Sequence, residues 1–406
     1  MELDGFAPEI AERLDRLNGV QVVLAMPGVT TGEGLRQAVA NVRDGMAGLV
    51  PTEAVVLVHP DGVMADTAAP DPGPALLPFP ITPVDRLPAA GQEPGTRLRM
   101  ILAASNYLHA RACAVVGSEP SAIGPQALRG LVQPVLEDSV DLVTPCYLRH
   151  RFEGLLLSSV VAPLIRALYG RRIRFPLGAD YGFSSRLMER LAKPAARDAM
   201  PIWLTTDTIC AGYQVAQVQL GLPMPAVKEP PDVSTAVAQV LGPVFGDIER
   251  NAACWQKIRG SQAAVTFGTA PPPPEGPSTV DVTHMVETFR LANRNLQDLW
   301  RTVLPPAILL ELKRLTQLAP EEFRFPDEVW ARTIYDFALA YRLRVMSRDH
   351  LLGALTPLYL AWVAGYAGEV GAMSPGAVEQ RLDRLGAAFE AQKPYLVSRW
   401  RWPDRF

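Results

Sequence analysis

The chain reads Val20-Gln21-Val22-Val23-Leu24-Ala25-Met26-Pro27-Gly28 near its start, an apolar run of strand length that closes in a turn. Residues 34–49 then carry apolar side chains at helical spacing. A second apolar run, residues 54–58, ends at His59-Pro60-Asp61-Gly62. A strand, a helix and a second strand in this order, with a turn after each strand, predict a parallel α/β sheet.

The same alternation continues along the chain. Ala112-Cys113-Ala114-Val115-Val116 predicts a third strand, and residues 140–145 predict a fourth. Beyond residue 281 the periodicity is almost wholly helical. Apolar spacing between these points predicts helices at 97–109, 125–137, 154–169 and 201–221.

A run of four prolines, residues 271–274, interrupts the chain with a stiff and extended segment. At 406 residues the chain is also long for a single domain. We therefore predict an α/β domain of catalytic type at residues 1–267, a Pro-rich linker at 268–280 and a helical C-terminal domain at 281–406. Hydrophobic residues make up 48% of the chain, enough for a sizeable core.

Charge and composition argue against several classes of protein. The formal net charge is -3, whereas nucleic-acid-binding proteins are usually basic. The four cysteines are widely spaced and form no CxxC motif, which argues against a zinc site. The N-terminus, Met1-Glu2-Leu3-Asp4, lacks the basic start and apolar core of a signal peptide, so we expect a cytoplasmic protein.

One uncharged stretch, residues 351–368, is nearly long enough to span a bilayer. It contains Pro357 and several glycine and alanine residues. We interpret it as a buried helix pair or a bent helix, and peripheral membrane contact is the alternative that stays open.

Small or acidic residues follow three of the predicted strands. Pro27-Gly28 lets the backbone approach a ligand, Asp61 follows the second strand, and Glu119 closes the segment Gly117-Ser118-Glu119 after the third. Ligands of parallel sheets bind outside the carboxyl ends of the strands, so these residues are candidates for a binding site. Ordinary turns use the same residue types, and on the residues alone this second interpretation stays open.

Two basic clusters flank the predicted helix at 154–169. The first includes Arg149 and Arg151, and the second includes Arg171, Arg172 and Arg174. Guanidinium groups suit phosphate or carboxylate recognition, although a solvated surface would look the same. The second cluster leads into Gly178-Ala179-Asp180, and small residues around one acid are what a sugar-binding carboxylate needs.

Three ordered segments carry a resemblance to a known family. They are Pro145-Cys146-Tyr147-Leu148-Arg149-His150 with Glu153-Gly154, the stretch from Ala167-Leu168-Tyr169-Gly170 to Ser184, and Pro201-Ile202-Trp203-Leu204-Thr205-Thr206. They resemble the segments P-Y-Y-x-R-H-x-x-D-G, A-L-Y-G-x-x-x-R-Q-P-x-G-G-D-F-G-F-S and D-I-W-x-T-T of family-2-type glycosyltransferases. The similarity is to the glucosyl-3-phosphoglycerate and mannosylglycerate synthases, and it runs from about Val20 to Trp400.

The resemblance implies a GT-A fold, which is a Rossmann-like α/β domain that binds a nucleotide-diphosphate sugar, followed by a helical domain. It also implies a role for each candidate residue. Asp180 would be the catalytic residue that touches the donor sugar, Asp61 would meet the nucleoside, and Glu119 would meet the diphosphate or a weakly bound metal. The remaining residues expected to bind the nucleotide sugar are Pro27, Gly28, Gly178, Arg149 and Arg174.

The chain departs from the family at several positions. Gly117-Ser118-Glu119 stands where the family has the acidic D-x-D metal motif, so one acid remains, as Glu119. Pro201 replaces the acid that opens D-I-W, and no histidine follows near Gly221, where the family has a metal ligand. The S-D-G-G-S-type turn keeps one acid, Asp61, and the Gly-Lys-Gly-like element becomes residues 94–97 without a lysine.

These losses affect the expected chemistry. Transfer from a nucleotide sugar builds charge on the departing diphosphate, which a divalent cation normally neutralises. One carboxylate plus phosphates binds Mg²⁺ or Mn²⁺ weakly. Two interpretations stay open. The chain is a transferase for a UDP- or GDP-sugar and a small or lipid-linked acceptor, in which arginines replace the metal. Alternatively, it is a catalytically inactive homologue that binds or scaffolds, with a homodimer formed through the helical domain.

Overall fold

The computed structural model of the chain forms two compact units. Unit 1 comprises Met1–Leu148, Leu177–Lys228 and Ala264–Pro271, and unit 2 comprises Arg149–Pro176, Glu229–Ala263 and Pro272–Phe406. The two units are each made of several chain segments, and the predicted domains at 1–267 and 281–406 stay a prediction. The residues that the structure describes are 8–63, 73–79, 94–119, 121–192, 202–224, 232–269, 271–272 and 280–401.

Unit 1 is built on one sheet, which has eight strands in the described residues. The strands are β1 (Val22–Ala25), β2 (Val55–Pro60), β3 (Ala75–Phe79), β4 (Ala112–Val116), β5 (Leu142–Leu148), β7 (Asp180–Ser184), β8 (Val215–Pro223) and β10 (Val265–Phe267). In space they follow the order β3-β2-β1-β4-β7-β5-β8-β10. All neighbours are parallel except β7, which runs antiparallel to both β4 and β5.

The helices of unit 1 connect these strands. The first crossover helix begins after Thr31, whose side chain accepts a hydrogen bond from the Gly34 amide and caps the helix. The helices are α1 (Pro8–Asp15), α2 (Gly32–Met46), α3 (Pro94–Tyr107), α4 (Pro125–Leu136), α6 (Ser185–Leu191) and α7 (Ile202–Cys210).

The register of the sheet brings three strand ends together. Ala25 at the end of β1 pairs with Val58 of β2 on one side and with Val115 of β4 on the other. Every residue of β1 and β2 is buried, as expected for parallel strands that are covered on both faces. The predicted α/β sheet is therefore confirmed, and its carboxyl ends place the candidate residues at one edge.

The antiparallel strand β7 depends on a glycine. A Cβ atom on Gly182 would lie 2.0 Å from the carbonyl oxygen of Leu131 in α4. Any side chain there would push the helix away from the sheet, so this contact requires glycine. Close packing of α4 on β7 fixes the strand between β4 and β5.

The expectation of one helix at 201–221 is wrong. The structure has the short helix α7 and, after a turn at Gly212 with φ of 81°, the strand β8. Short apolar runs fit a buried helix and a buried strand equally well, and here the glycine turn separates the two. Pro201 itself lies outside the described residues.

Unit 2 is largely helical, as the periodicity beyond residue 281 predicts. Its core contains buried tryptophans, and Trp330 and Trp362 stack with ring centroids 6.1 Å apart. A π-helical turn, Leu157–Val161, precedes the first helix. The elements are α5 (Ala162–Tyr169), α8 (Val233–Arg250), α9 (Ala252–Trp255), α10 (Val282–Asn295), α11 (Gln297–Arg301), α12 (Pro306–Leu315), α13 (Asp327–Leu343), α14 (Arg348–Val370), α15 (Pro375–Arg401) and the two short paired strands β6 (Arg171–Arg172) and β9 (Gln262–Ala263).

The uncharged stretch at 351–368 lies in one continuous helix, α14, rather than in a helix pair. Pro357 lies inside it, and the Ser347 side chain caps its first turn. Among the described residues α14 is the one helix long and apolar enough to cross a membrane, with a mean hydropathy of 1.3. Of its most apolar window 78% is buried inside the protein, which is typical of a core helix.

Candidate functional site

The ends of β1 and β4 lie in direct contact. A Cβ atom placed on Gly28 would lie 3.4 Å from the carbonyl oxygen of Ser118 and 3.5 Å from that of Gly117. The turn Pro27-Gly28 therefore lies against the segment that contains Glu119. The structure brings these sequence-predicted residues together, and their contact with a nucleotide sugar stays a prediction.

The end of β2 adds an exposed acid at the same edge. The Asp61 amide donates to the carbonyl of Phe79 over 2.9 Å, and its side chain is exposed. Nearby His59 is buried, and Nδ1 of its ring lies 2.8 Å from the carbonyl oxygen of Pro60. Burial lowers the pKa of His59, so its imidazole is neutral at pH 7. The Asp61 side chain is therefore exposed to solvent, and the backbone pairing of β2 with β3 holds the residue in place.

Asp180, the predicted catalytic residue, begins β7 and is fully buried. Its Oδ1 accepts a hydrogen bond from the Ser118 amide at 3.1 Å. Its Oδ2 accepts from the Ser118 hydroxyl at 2.7 Å and from the Tyr147 hydroxyl at 2.6 Å. The buried carboxylate therefore anchors the turn after β4 through both polar groups of Ser118. Its contact with a donor sugar stays a prediction, and in this structure none of its surface is exposed.

Burial and hydrogen bonding act in opposite directions on this carboxylate. Desolvation raises the pKa of Asp180, and the bonds from Tyr147 and Ser118 oppose the rise. Desolvation and the charge of Asp180 together raise the pKa of Tyr147 well above its ordinary value. The Tyr147 hydroxyl therefore stays protonated and continues to donate to Asp180.

Tyr147 also joins two of the motifs that carry the family resemblance. Its hydroxyl accepts a hydrogen bond from the Ala179 amide at 3.0 Å. Beside it, the Gly178 amide donates to the Tyr181 hydroxyl over 2.7 Å. A Cβ atom on Gly178 would lie 2.3 Å from Cγ of Pro145, so the close approach of these segments requires glycine. Gly178 therefore has a packing role in addition to its predicted binding role.

The residues at the end of β4 do not fit a divalent metal. A Cβ atom on Gly117 would lie 2.9 Å from both Cβ and the carbonyl oxygen of Ala179, so the position of the first family acid cannot carry a side chain as the backbone stands. Glu119 is exposed and supplies one carboxylate. Within the described ranges no group of three or more His, Cys, Asp or Glu side chains could hold a metal ion. Hard cations need more oxygen ligands than this.

The predicted arginines belong to unit 2 and have partners there. Arg149 lies 3.6 Å from the Glu379 carboxylate, and Arg174 forms an ion pair with the same group. Arg171 donates to Gln262 at 2.7 Å. The structure thus gathers Pro27, Gly28, Asp61, Glu119, Gly178 and Asp180 in unit 1, and Arg149 and Arg174 in unit 2.

Sequence reasoning missed the contributions of Ser118, Tyr147 and Ala179. Ser118 and Tyr147 supply the donors that bind Asp180, and Ala179 closes the space beside Gly117. The available signal was the tyrosine in the P-Y-Y-like segment, which the chain keeps as Tyr147. Its partner is 33 residues away in sequence, so local spacing could not show the contact.

The matches to known proteins are all to solved structures. No family model matches the chain, and no curated protein matches it. A solved mycobacterial protein is 22% identical, with 60% of this chain and 79% of that chain covered and a TM-score of 0.36. Glucosyl-3-phosphoglycerate synthase from Mycobacterium tuberculosis, solved with phosphoglyceric acid, is 20% identical over 61% of this chain and 84% of that chain, with a TM-score of 0.37.

A mannosyltransferase from Pyrobaculum calidifontis, solved with GDP-Man and Mn²⁺, covers 98% of this chain and 93% of its own. Its identity is 13% and its TM-score is 0.34. At these identities and TM-scores the likenesses establish neither the fold nor the function of this chain. The α/β class rests instead on the strand order and pairing described above.

Proposed function

We propose that the chain is a GT-A-type glycosyltransferase that moves a sugar from a UDP- or GDP-sugar to a small or lipid-linked acceptor, with weak or no metal dependence. One observation carries the proposal. The Asp180 carboxylate binds both polar groups of Ser118 and the hydroxyl of Tyr147, so two of the segments that carry the resemblance meet at the turn after β4. This is the edge at which parallel sheets bind nucleotides.

Each residue has a distinct task in this proposal. The turn Pro27-Gly28 provides close backbone approach, the exposed Asp61 accepts hydrogen bonds from the nucleoside, and Glu119 faces the charged part of the donor. Asp180 positions the turn that carries Glu119, because its buried carboxylate binds Ser118 in that turn. Its direct contact with the sugar remains part of the proposal and requires the carboxylate to become exposed.

A departing diphosphate needs positive charge or hydrogen-bond donors close to it. Because the single exposed carboxylate at the end of β4 does not suit a metal, guanidinium groups are the better candidates in this chain. The proposal assigns this role to Arg149 and Arg174, whose guanidinium groups already bind a carboxylate.

Thermal unfolding in the presence of nucleotide sugars tests the proposal. The full chain is melted with UDP- and GDP-sugars, with Mn²⁺ and with EDTA. We expect stabilisation by one nucleotide series, of similar size in both conditions, because binding to the native state raises its stability. No stabilisation by any nucleotide sugar would refute the binding of the donor. Loss of stabilisation in EDTA would refute metal independence.

Matched variants locate the site within unit 1. Asp61→Asn should weaken stabilisation by the nucleotide, whereas Asp44→Asn, another exposed acid in unit 1, should leave it unchanged. Equal effects of the two variants would place the nucleotide elsewhere.

The second candidate function is a non-catalytic homologue that keeps the fold for binding. This alternative rests on the burial of Asp180 and on the closed position beside Gly117. Release of UDP or GDP by a chain that binds the nucleotide sugar separates the two. Binding without release under any acceptor condition would support the non-catalytic function.

Three associated proposals need their own measurements. A homodimer predicts twice the monomer mass in sedimentation equilibrium. Peripheral membrane contact predicts co-sedimentation with liposomes, and the burial of α14 argues against that helix as the contact surface. A cytoplasmic location predicts a soluble fraction after gentle lysis.

A further inference from the structure

Two arginines of unit 2 share one carboxylate. Nη2 of Arg149 lies 3.6 Å from Oε1 of Glu379, and Nη2 of Arg174 binds Oε2 of the same side chain. Glu379 lies near the start of α15, whereas the arginines lie more than 200 residues earlier in the chain. A carboxylate held between two guanidinium groups is the arrangement by which proteins bind small anions.

Arg149 is held in place whether or not Glu379 is present. Its side chain is 8% exposed, and Nη1 donates to the hydroxyl of Ser158 at 3.1 Å and to the carbonyl of Glu153 at 3.2 Å. These bonds fix the guanidinium plane before any ligand arrives. A fixed cation loses little conformational entropy when it binds an anion, so it is prepared for a ligand.

Glu379 is by contrast accessible. Its side chain and that of Arg174 are each 44% exposed, so solvent reaches the carboxylate at the mouth of the pair. An external anion can therefore reach Arg174 and Glu379 from solvent, and it contacts the nearly buried Arg149 by taking the place of the Glu379 carboxylate.

We propose that Arg149 and Arg174 form an anion-binding site whose present occupant is the chain's own Glu379, and that a phosphate-bearing small molecule binds there by displacing this carboxylate. A phosphate group has more oxygen atoms and, at pH 7, more negative charge than a carboxylate. It therefore competes well for two guanidinium groups. Glu379 sets a threshold, because the ligand must replace an existing ion pair.

The inference deepens the proposed function, which assigns the same two arginines to the diphosphate of the donor. It rests on that function for the identity of the natural ligand. Binding of inorganic phosphate tests it separately. Phosphate binding with no response to nucleotide sugars would leave this site standing and remove the transferase proposal. The reverse result would remove this site alone.

Calorimetric titration of inorganic phosphate into the full chain at low ionic strength is the experiment. Glu379→Gln should bind phosphate roughly tenfold more tightly than the wild type, because one competing charge-assisted contact is removed. Asp383→Asn is the matched control, since its carboxylate lies on the same helix but pairs with Arg166 at 2.8 Å. The gain should disappear in the double variant Glu379→Gln with Arg174→Gln.

Three outcomes would overturn the proposal. They are unchanged phosphate affinity in Glu379→Gln, an equal gain in Asp383→Asn, or a gain that survives the loss of Arg174. The unfolding transition of each variant is measured alongside. Should Glu379→Gln not fold, Glu379→Asp retains the charge with a shorter side chain and should give a smaller gain; no gain in that folded variant would also overturn the proposal.

Discussion

Gly117 and Ala179 leave no space for a side chain between them. The Gly117 amide donates to the Ala179 carbonyl over 3.0 Å, and a Cβ atom at 117 would lie 2.9 Å from that oxygen and from the Ala179 methyl. The glycosyltransferase segments that this chain resembles have an acid at the first position and a glycine at the second. This chain has glycine and alanine there, and the methyl of Ala179 lies where an acid at 117 would need room.

The first prediction concerns this pair. Gly117→Asp should lower the free energy of unfolding by about 1–3 kcal/mol, because its Cβ meets a backbone oxygen and a methyl group. Removing the methyl first, in Ala179→Gly with Gly117→Asp, should recover part of the loss, since one of the two contacts disappears. Urea denaturation of the four chains in a double-mutant cycle measures the coupling.

A control for that cycle lies in the same unit. Gly124 is the N-cap of α4, and a Cβ atom there would have its nearest contact at 3.9 Å. Gly124→Asp should therefore not lower the free energy of unfolding, since aspartate is a better N-cap than glycine. A loss at Gly124 as large as that at Gly117 would show that the close contact is not the cause.

The second prediction concerns the buried carboxylate. Asp180→Asn replaces an acceptor oxygen by an NH₂ group in a site where Ser118 and Tyr147 already donate. An unmatched buried donor should lower the free energy of unfolding by about 2–3 kcal/mol. Asp61→Asn, at an exposed acid, should change stability by about 0.5 kcal/mol or less. Similar losses in urea denaturation for both variants would contradict the anchoring role of Asp180.

The third prediction tests whether Tyr147 acts through Asp180. Tyr147→Phe removes the 2.6 Å hydrogen bond to the carboxylate and the acceptor for the Ala179 amide. In a cycle with Asp180→Asn the two losses should be non-additive by about 1 kcal/mol or more, because the residues share one network. Additive losses would mean that the two side chains stabilise the fold independently.

Much of the secondary structure in both units could be predicted from local signals. β1, β2 and β4 are apolar runs that end in turn residues, and the helical periodicity beyond residue 281 reflects amphipathic helices packed on one another. β7 could not be found in this way. Its sequence, Asp180-Tyr181-Gly182-Phe183-Ser184, is a strand because it inserts between β4 and β5, and its glycine is required by a helix far away in sequence.

The candidate site shows the same division. The sequence identified the strand ends that carry Gly28, Asp61 and Glu119, since each follows a recognisable strand. It did not show that Asp180 is buried, because burial depends on Ser118, which is 62 residues away. An acid among small residues has the same local pattern whether it faces a ligand or anchors a neighbouring turn.

The last prediction concerns pH and Lys393 of unit 2. Its ammonium group donates to the carbonyls of Leu168 at 3.1 Å and Ile258 at 3.0 Å, and desolvation lowers the pKa of Lys393 from 10.5 to about 8. At a pH between about 8 and 10.5, Lys393 binds a proton less often in the folded chain than in the unfolded chain. The contribution of Lys393 to stability therefore rises with pH from about 8 to 10.5.

Lys393→Met should remove that contribution to the pH dependence. The difference in unfolding free energy between the wild type and the variant should shift in favour of the wild type as the pH rises through this window. Tyrosines also ionise in this pH range, but their contribution is the same in both chains and cancels in the difference. Urea denaturation at several pH values measures it, with Lys313→Met, on a different helix of unit 2, as the control. A difference that stays constant with pH would show that the buried ammonium keeps its ordinary pKa.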